Sequence, residues 1–171
     1  MPRQAFEREL ERLNDEVLLL GSMARKAILQ AVDMLKRQDL AGSKQLVADD
    51  LKINKKRFDI EGDCLTVIAT QQPMASDLRT LAAILELATE LERIGDYGKG
   101  IARITLMIGE APLIKPLIDI PLMAEKVCDM LQRALDAFIR RDVETARSIP
   151  LEDDQVDELY NRVYTELIDI I

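Results

Sequence analysis

An apolar stripe in the first third of the chain constrains its fold more than any other feature. Phe6, Leu10, Leu13, Val17, Leu20, Ala24, Ala27, Ala31 and Met34 follow one another at alternating spacings of three and four. Only a helix brings such positions onto one face. Glu7, Arg8, Glu11, Arg12 and Asp15 fall off the stripe, as a solvated face requires. The spacing predicts one long helix over Pro2–Arg37.

The pattern then repeats in related forms. A turn at Gln38-Asp39 opens a second helix that runs to about Gln71, with Leu46, Ile53, Ile60 and Val67 at a sevenfold period and Cys64 and Ile68 beside them. Pro73 ends it, because proline disfavours helical backbone in the residue before it. A third helix starts at Ala75 or Ser76 and carries Leu81, Ile84, Leu85, Ala88, Leu91, Ile94 and Ile101 as far as Ile108. Each helix has some 30 residues, hence a length of roughly 45–50 Å. Short connections make sequential helices antiparallel neighbours. Gly109 to Pro121 holds Pro112, Pro116 and Pro121 and reads as a linker. A fourth helix runs to about Arg141. A fifth starts from Val143 or Glu152, with Pro150 splitting it or opening its main body.

Composition agrees with an all-helical chain. Hydrophobic residues make up 48% and aromatics only 4%, so the core rests on Leu, Ile, Val, Ala and Met. The formal charge of −8 repels nucleic acid and anionic lipid. The one basic cluster, Lys52, Lys55, Lys56 and Arg57, reads as a solvated helix face. Met1-Pro2-Arg3-Gln4 lacks the apolar core of a signal peptide, and no run of apolar residues is long enough to span a bilayer. The expected compartment is the cytoplasm. Cys64 and Cys128 read as separate buried thiols. Tyr97, Tyr160 and Tyr164 sit at spacings that suit core or interface packing.

An internal repeat appears at an offset of 103 residues. Asp33, Asp39 and Asp50 recur as Asp136, Asp142 and Asp153, without a gap. Ile28, Leu35, Leu46, Ile53, Ile60, Leu65 and Ile68 recur as Leu131, Phe138, Ile149, Val156, Val163, Ile168 and Ile171. Ile171 thus matches a position just before the turn at Pro73. The second unit stops where its third helix is expected, which reads as a fragment or an incomplete gene model; a natural five-helix protein is the other reading. Residues 1–110 form the first three-helix unit, 111–121 the linker and 122–171 a partial second unit whose apolar face is left uncovered and open to association.

The chain has no histidine, and so lacks the usual general base and the commonest transition-metal ligand. It has neither a phosphate-cradling Gly-rich loop with its lysine nor a G-x-S-x-G turn. Enzymatic activity is not expected. Oxygen chemistry is better represented. Glu92 and Asp96 are four apart and leave one helix face together. Asp50 and Asp96 lie at comparable distances from the turn at Pro73, which puts them at the same height in a hairpin, and Asn54 is one turn from Asp50. These four residues compose an oxygen-rich patch suited to a hard cation. Asp153 and Asp157 occupy the positions of Asp50 and Asn54 in the second unit. The competing reading is a solvated face whose carboxylates pair with Arg93, Lys99 or Arg57. Gly95, Gly98 and Gly100 each cost about 1 kcal/mol in a helix, and close approach of a backbone or ligand is one explanation for them.

At these residues the chain resembles the PhoU family. The resemblance rests on Phe6-Glu7-Arg8-Glu9-Leu10, on the Gln72-Pro73-x-Ala75-x-Asp77-Leu78-Arg79 turn, on Leu91-Glu92-Arg93-Ile94-Gly95-Asp96 and on Asp153-Asp154-Gln155-Val156-Asp157-Glu158-Leu159-Tyr160-Asn161. It implies an all-α fold of two tandem three-helix bundles of long antiparallel helices, the second incomplete here. It also implies a cytoplasmic, often dimeric, negative regulator of phosphate uptake and of the phosphate-starvation response. Such a protein links the ATPase subunit of a phosphate ABC transporter to a sensor histidine kinase. It implies a cation or metal cluster of iron, manganese, magnesium or zinc, on Glu92, Asp96 and Asp50, with Asn54 where the family often has aspartate and Asp153 and Asp157 in the second unit. Asp77, Arg79 and Arg93 are the partner-binding candidates. The alternatives are a metal-binding helical bundle without a signalling role and a purely structural coiled-coil scaffold.

Overall fold

The structure, a computed structural model, describes residues 2–170, with side chains from Gln4 onward. The expectations on Met1 and on Ile171 as the counterpart of Ile68 lie outside the described residues. The elements are α1 (Pro2–Arg37), α2 (Leu40–Gln71), α3 (Ala75–Ile108), α4 (Asp119–Arg140), α5 (Val143–Ser148), a short 3₁₀ turn (Ile149–Glu152) and α6 (Asp153–Ile170). Among the described residues there is no strand. No described helix is long and apolar enough to cross a membrane.

α1, α2 and α3 form one antiparallel bundle, with α1 and α3 in the most extensive contact. The stripe of α1 is its spine: Leu13, Val17, Leu20, Ala24 and Ala31 are fully buried, and Phe6 and Ala27 nearly so. Ile60, Cys64 and Val67 meet it from α2, and Leu81, Ile84, Ala88 and Leu91 from α3. The sevenfold column of α2 is buried at every step from Leu46 to Val67. Both cysteines are free and buried. Burial pushes the Cys64 thiol up to about 11 and also raises that of Cys128.

The 103-residue offset reappears in the turns. Gln38 and Arg141 both take left-handed backbone, with φ of 52° and 54°. The N–H of Asp39 donates to Met34 O at 2.9 Å, and that of Asp142 to Ala137 O at the same distance. Asp39 Oδ1 accepts from Gly42 N, and Asp142 Oδ1 from Thr145 N, so each aspartate caps the helix that follows it. The two helical hairpins are therefore closed by the same hydrogen bonds.

One sequence expectation needs correction, and two that left alternatives open are narrowed. α4 begins at Asp119 rather than after Pro121. Pro121 lies in its first turn, where the missing N–H would have no intrahelical partner. Of the two readings of Pro150, the structure has the split: the fifth helix is divided into α5 and α6 by the 3₁₀ turn that contains it. That proline has no N–H to offer an α-helical ladder. Of the core and interface alternatives for Tyr97, Tyr160 and Tyr164, the core is excluded: all three are exposed, on helix faces that no other described element covers.

α4 packs along α1, and Leu135 joins the core of the first bundle. Gly21 permits this: a Cβ there would lie 2.3 Å from Leu135 Cδ1. Arg25 Nη1 donates to Gln132 Oε1 at 3.1 Å across the same seam. α6 touches α4 and the 3₁₀ turn, and it buries no residue fully. Val156 and Val163, the counterparts of buried Ile53 and Ile60, are only half-buried. The difference is that both α1 and α3 pack on α2, whereas of the described helices only α4 packs on α6.

Candidate functional site: an acidic cluster between α2 and α3

The hairpin around Pro73 brings α2 and α3 side by side, and Asp50 and Asp96 meet across their seam. Both reach one nitrogen. Lys99 Nζ is 2.5 Å from Asp50 Oδ2 and 2.6 Å from Asp96 Oδ1. Helical geometry accounts for the pairing on α3, because Asp96 and Lys99 are three apart and share a face. Asp50 reaches from α2, where the column through Leu46 and Ile53 turns it inward. It is 6% exposed. Asn54 Nδ2 donates to the same Oδ2 at 3.0 Å and to Asp50 O at 3.2 Å.

Glu92 stands one turn before Asp96. Partial burial holds its carboxyl above the ordinary range, and the negative charges of Asp96 and Asp50 add to the effect; Arg57 and Lys99 oppose it. Lys99 is raised in turn, first by its hydrogen bond to Asp50 and then by that to Asp96. The cluster is acidic overall but carries its own counter-charge.

Gly95 and Gly98 flank the cluster on the packed side of α3. A Cβ at Gly98 would lie 2.9 Å from the carbonyl carbon of Ala27 and 3.1 Å from its oxygen. α1 and α3 thus touch backbone to backbone. At Gly95 a Cβ would meet Ile53 Cδ1 at 2.9 Å, a side chain of α2. Gly100 has nothing within 4 Å, so close approach explains two of the three glycines and not the third.

The donors are Asp50, Asn54, Glu92 and Asp96, all of them oxygen ligands for a hard cation. Asp50 Oδ1 is buried without a hydrogen-bond partner, as a ligand oxygen would be. The ammonium of Lys99, however, fills the space between the carboxylates. Among the described residues no three His, Cys, Asp or Glu side chains converge closely enough to hold a metal. As the side chains stand, Asp50 and Asp96 are ion-paired to Lys99 and the donor set does not fit a cation.

The second-unit pair stands apart. Asp153 and Asp157 are exposed on the first two turns of α6, which contacts neither α2 nor α3. Of the partner-binding candidates, Asp77 is half-buried and Arg79 exposed in the first turns of α3. Arg79 lines a groove of about 480 Å³ with Asn14, Phe138 and Arg141, where α3 faces the α4–α5 turn. Arg93 is exposed and pairs with Glu90 at 3.6 Å. The basic run on α2 is neutralised locally: Lys52 pairs with Asp49, Lys55 with Asp59, Lys56 with Glu16 and Arg57 with Glu61.

Several structural pairs left no signal in the sequence. Arg133 grips Glu152 with two bonds of 2.8 and 2.6 Å and anchors the 3₁₀ turn on α4. Arg162 of α6 reaches buried Asp119 at 3.3 Å. These partners are 19 and 43 positions apart, too far for helical periodicity to connect.

Comparison with known proteins shows the family and the fold. Residues 17–105 and 120–171 match the family model described as PhoU domain. The interval between the two matched segments contains residues 109–118, which join α3 to α4. The phosphate-specific transport system accessory protein PhoU homolog of Clostridium acetobutylicum is 35% identical over 175 residues, covering 100% of this chain and 78% of that protein. The homolog of Aquifex aeolicus is 33% identical over 161 residues, covering 94% and 73%. Among solved structures, the phosphate transport system regulatory protein PhoU from Streptococcus pneumoniae superposes with a TM-score of 0.88 at 30% identity, over 97% of this chain and 78% of that one. PhoU from Pseudomonas aeruginosa gives 0.85 at 33%, over 96% and 79%. With a family match over most of its length and relatives of this likeness, the chain belongs to the PhoU family.

Proposed function

We propose that this protein is a cytoplasmic negative regulator of phosphate uptake and of phosphate-starvation signalling, acting as an adaptor between the ATPase subunit of a phosphate ABC transporter and a sensor histidine kinase. The observation that carries this reading is family membership along both segments, among relatives named as accessory proteins of phosphate-specific transport. The architecture supports it: long rigid helices offer broad surfaces to proteins, and the chain has no histidine to activate a nucleophile. Asp77, Arg79 and Arg93 form the partner-binding face in this reading. Exposed Tyr160, Tyr164 and Ile168 on α6 favour homodimer formation.

The test is a pull-down with the tagged chain from phosphate-replete cells. The transporter ATPase subunit or the kinase is expected among the captured proteins, with recovery weakened by Arg79→Ala. Capture of neither would sink the adaptor reading.

A second reading adds cation binding to the α2–α3 cluster, favoured by the orphaned Oδ1 of Asp50. Glu92, Asp96 and Asp50 would hold the ion, with Asn54 as a neutral fourth donor. Bound there, it would neutralise the cluster and clamp α2 to α3. Elemental analysis of the purified chain beside Glu92→Gln and Asp96→Asn variants tests it: a metal content unchanged by both substitutions would refute it.

A further inference from the structure

α2 carries a second apolar stripe, on the side turned away from its core. Leu51, Phe58 and Leu65 stand seven apart and are 74%, 60% and 54% exposed. Between and beside them stand Ala48, Lys55, Gly62 and Ala69, also exposed. Large residues thus alternate with small or flexible ones, at spacings of three and four along one face. Packing within the chain gives no reason for this stripe. Of the described elements only α1 and α3 pack on α2, and the column that is buried there runs from Leu46 to Val67. A Cβ at Gly62 would have nothing within 4 Å. The repeat does not require the stripe either: at the offset of 103, Leu51 and Phe58 become Asp154 and Asn161, both exposed.

We propose that this face of α2 takes a second copy of the chain, antiparallel, about a twofold axis midway between Lys55 and Phe58. Turned end for end about that point, α2 brings Leu51 level with Gly62, Phe58 level with Lys55 and Leu65 level with Ala48. Each large side chain of one copy then meets a small residue or a lysine stem of the other, as an isologous contact requires. The charges agree with the same register. Lys52 and Lys55 of one copy come beside Asp59 and Asp63 of the other, whereas a parallel pairing would set Lys55 against its own counterpart. Within the chain Lys52 pairs with Asp49 and Lys55 with Asp59 as exposed surface pairs, which exchange partners at little cost. The contact goes beyond the association expected of α6. α2 packs on neither α4 nor α6 among the described residues, so the two faces are used or lost separately.

Single cysteines and a short bismaleimide read the arrangement directly, with the unaltered chain, whose Cys64 and Cys128 are buried, as the blank. A mixture of Leu51→Cys and Leu65→Cys chains is expected to yield at least tenfold more cross-linked dimer than either variant alone, because reversal brings residue 51 near residue 65 of the other copy and carries each away from its own counterpart. No cross-linked dimer in the mixture would overturn the proposal, and so would either variant joining to itself as readily as to the other. Sedimentation velocity gives a second measurement, on a chain that already carries Tyr164→Glu and Ile168→Glu. Adding Leu51→Asp and Phe58→Asn, the residues of the second unit at these places, is expected to raise the dimer dissociation constant at least tenfold. An unchanged constant would overturn the α2 contact and leave the α6 contact standing. In cells, capture of a different protein by Leu51→Cys in place of a second copy would give the face to another partner and overturn the proposal as well.

Discussion

Gly98 and Gly100 lie two residues apart on α3 and have opposite reasons for being glycine. At Gly98 the missing Cβ is what lets α3 lie against the main chain of α1 at Ala27. Backbone cannot rotate out of the way as a side chain can. Gly98→Ala is therefore expected to lower stability by about 2 kcal/mol, the usual cost of overpacking, even though alanine is the better helix former by about 1 kcal/mol. At Gly100 no atom stands within 4 Å. There only the helix term is left, and Gly100→Ala is expected to raise stability by about 1 kcal/mol. Urea denaturation of the two variants checks the opposite signs. Spacing alone presents both glycines as equally costly; only the neighbouring helix separates them.

The elements of this chain are set by local chemistry, and the two capping aspartates show it most directly. Asp39 caps α2 and Asp142 caps α5 through the same pattern of bonds. Asp39→Ala is expected to cost about 1 kcal/mol, the typical value of a lost N-cap, measurable by thermal or urea melts. Asp142 makes a prediction in pH. Bonds from the Thr145 hydroxyl and then the Thr145 N–H hold its carboxyl below the ordinary value of 3.8. A depressed folded value means that the unfolded chain takes up the proton first. The stabilisation is thus fully present at pH above 3.8 and is lost as pH falls through the lower, folded value. The Tm difference between the unaltered chain and Asp142→Ala should be constant at neutral pH and shrink in that acid range; a difference independent of pH throughout would contradict this account. Both caps were visible as aspartates in equivalent repeat positions. The 3₁₀ turn between α5 and α6 was only partly visible: Pro150 announced a break, but the Arg133–Glu152 clamp that seats it joins side chains with no shared periodicity.

For the whole molecule, the two units differ in how well their helices are covered. In the first, α3 lies across α1 and α2 and closes the core. In the second, α4 is buried on one side by α1, while α6 exposes Tyr160, Tyr164 and Ile168 at 56–59% of their surface. Contiguous apolar exposure on a helix drives association. The chain is expected to self-associate with rising concentration in sedimentation velocity, and Tyr164→Glu with Ile168→Glu to shift it toward monomer by at least tenfold in dissociation constant. Unchanged sedimentation of the double variant would show that association, if present, uses another face.

Helix positions, the capped turns, the buried stripe of α1 and the repeat all follow from contacts within about four residues or from a period carried along one helix, and such order is written in the chain itself. The meeting of Asp50 with Asp96 was legible too, because a hairpin of two straight helices pairs positions equally far from its turn. Three things were decided only by packing: which amine stands between those carboxylates, which glycine touches a backbone, and that α4 leans on the first bundle through Gly21 and Leu135. Each depends on distances of a few tenths of an ångström between residues far apart in sequence, and spacing along a chain carries no measure of those distances.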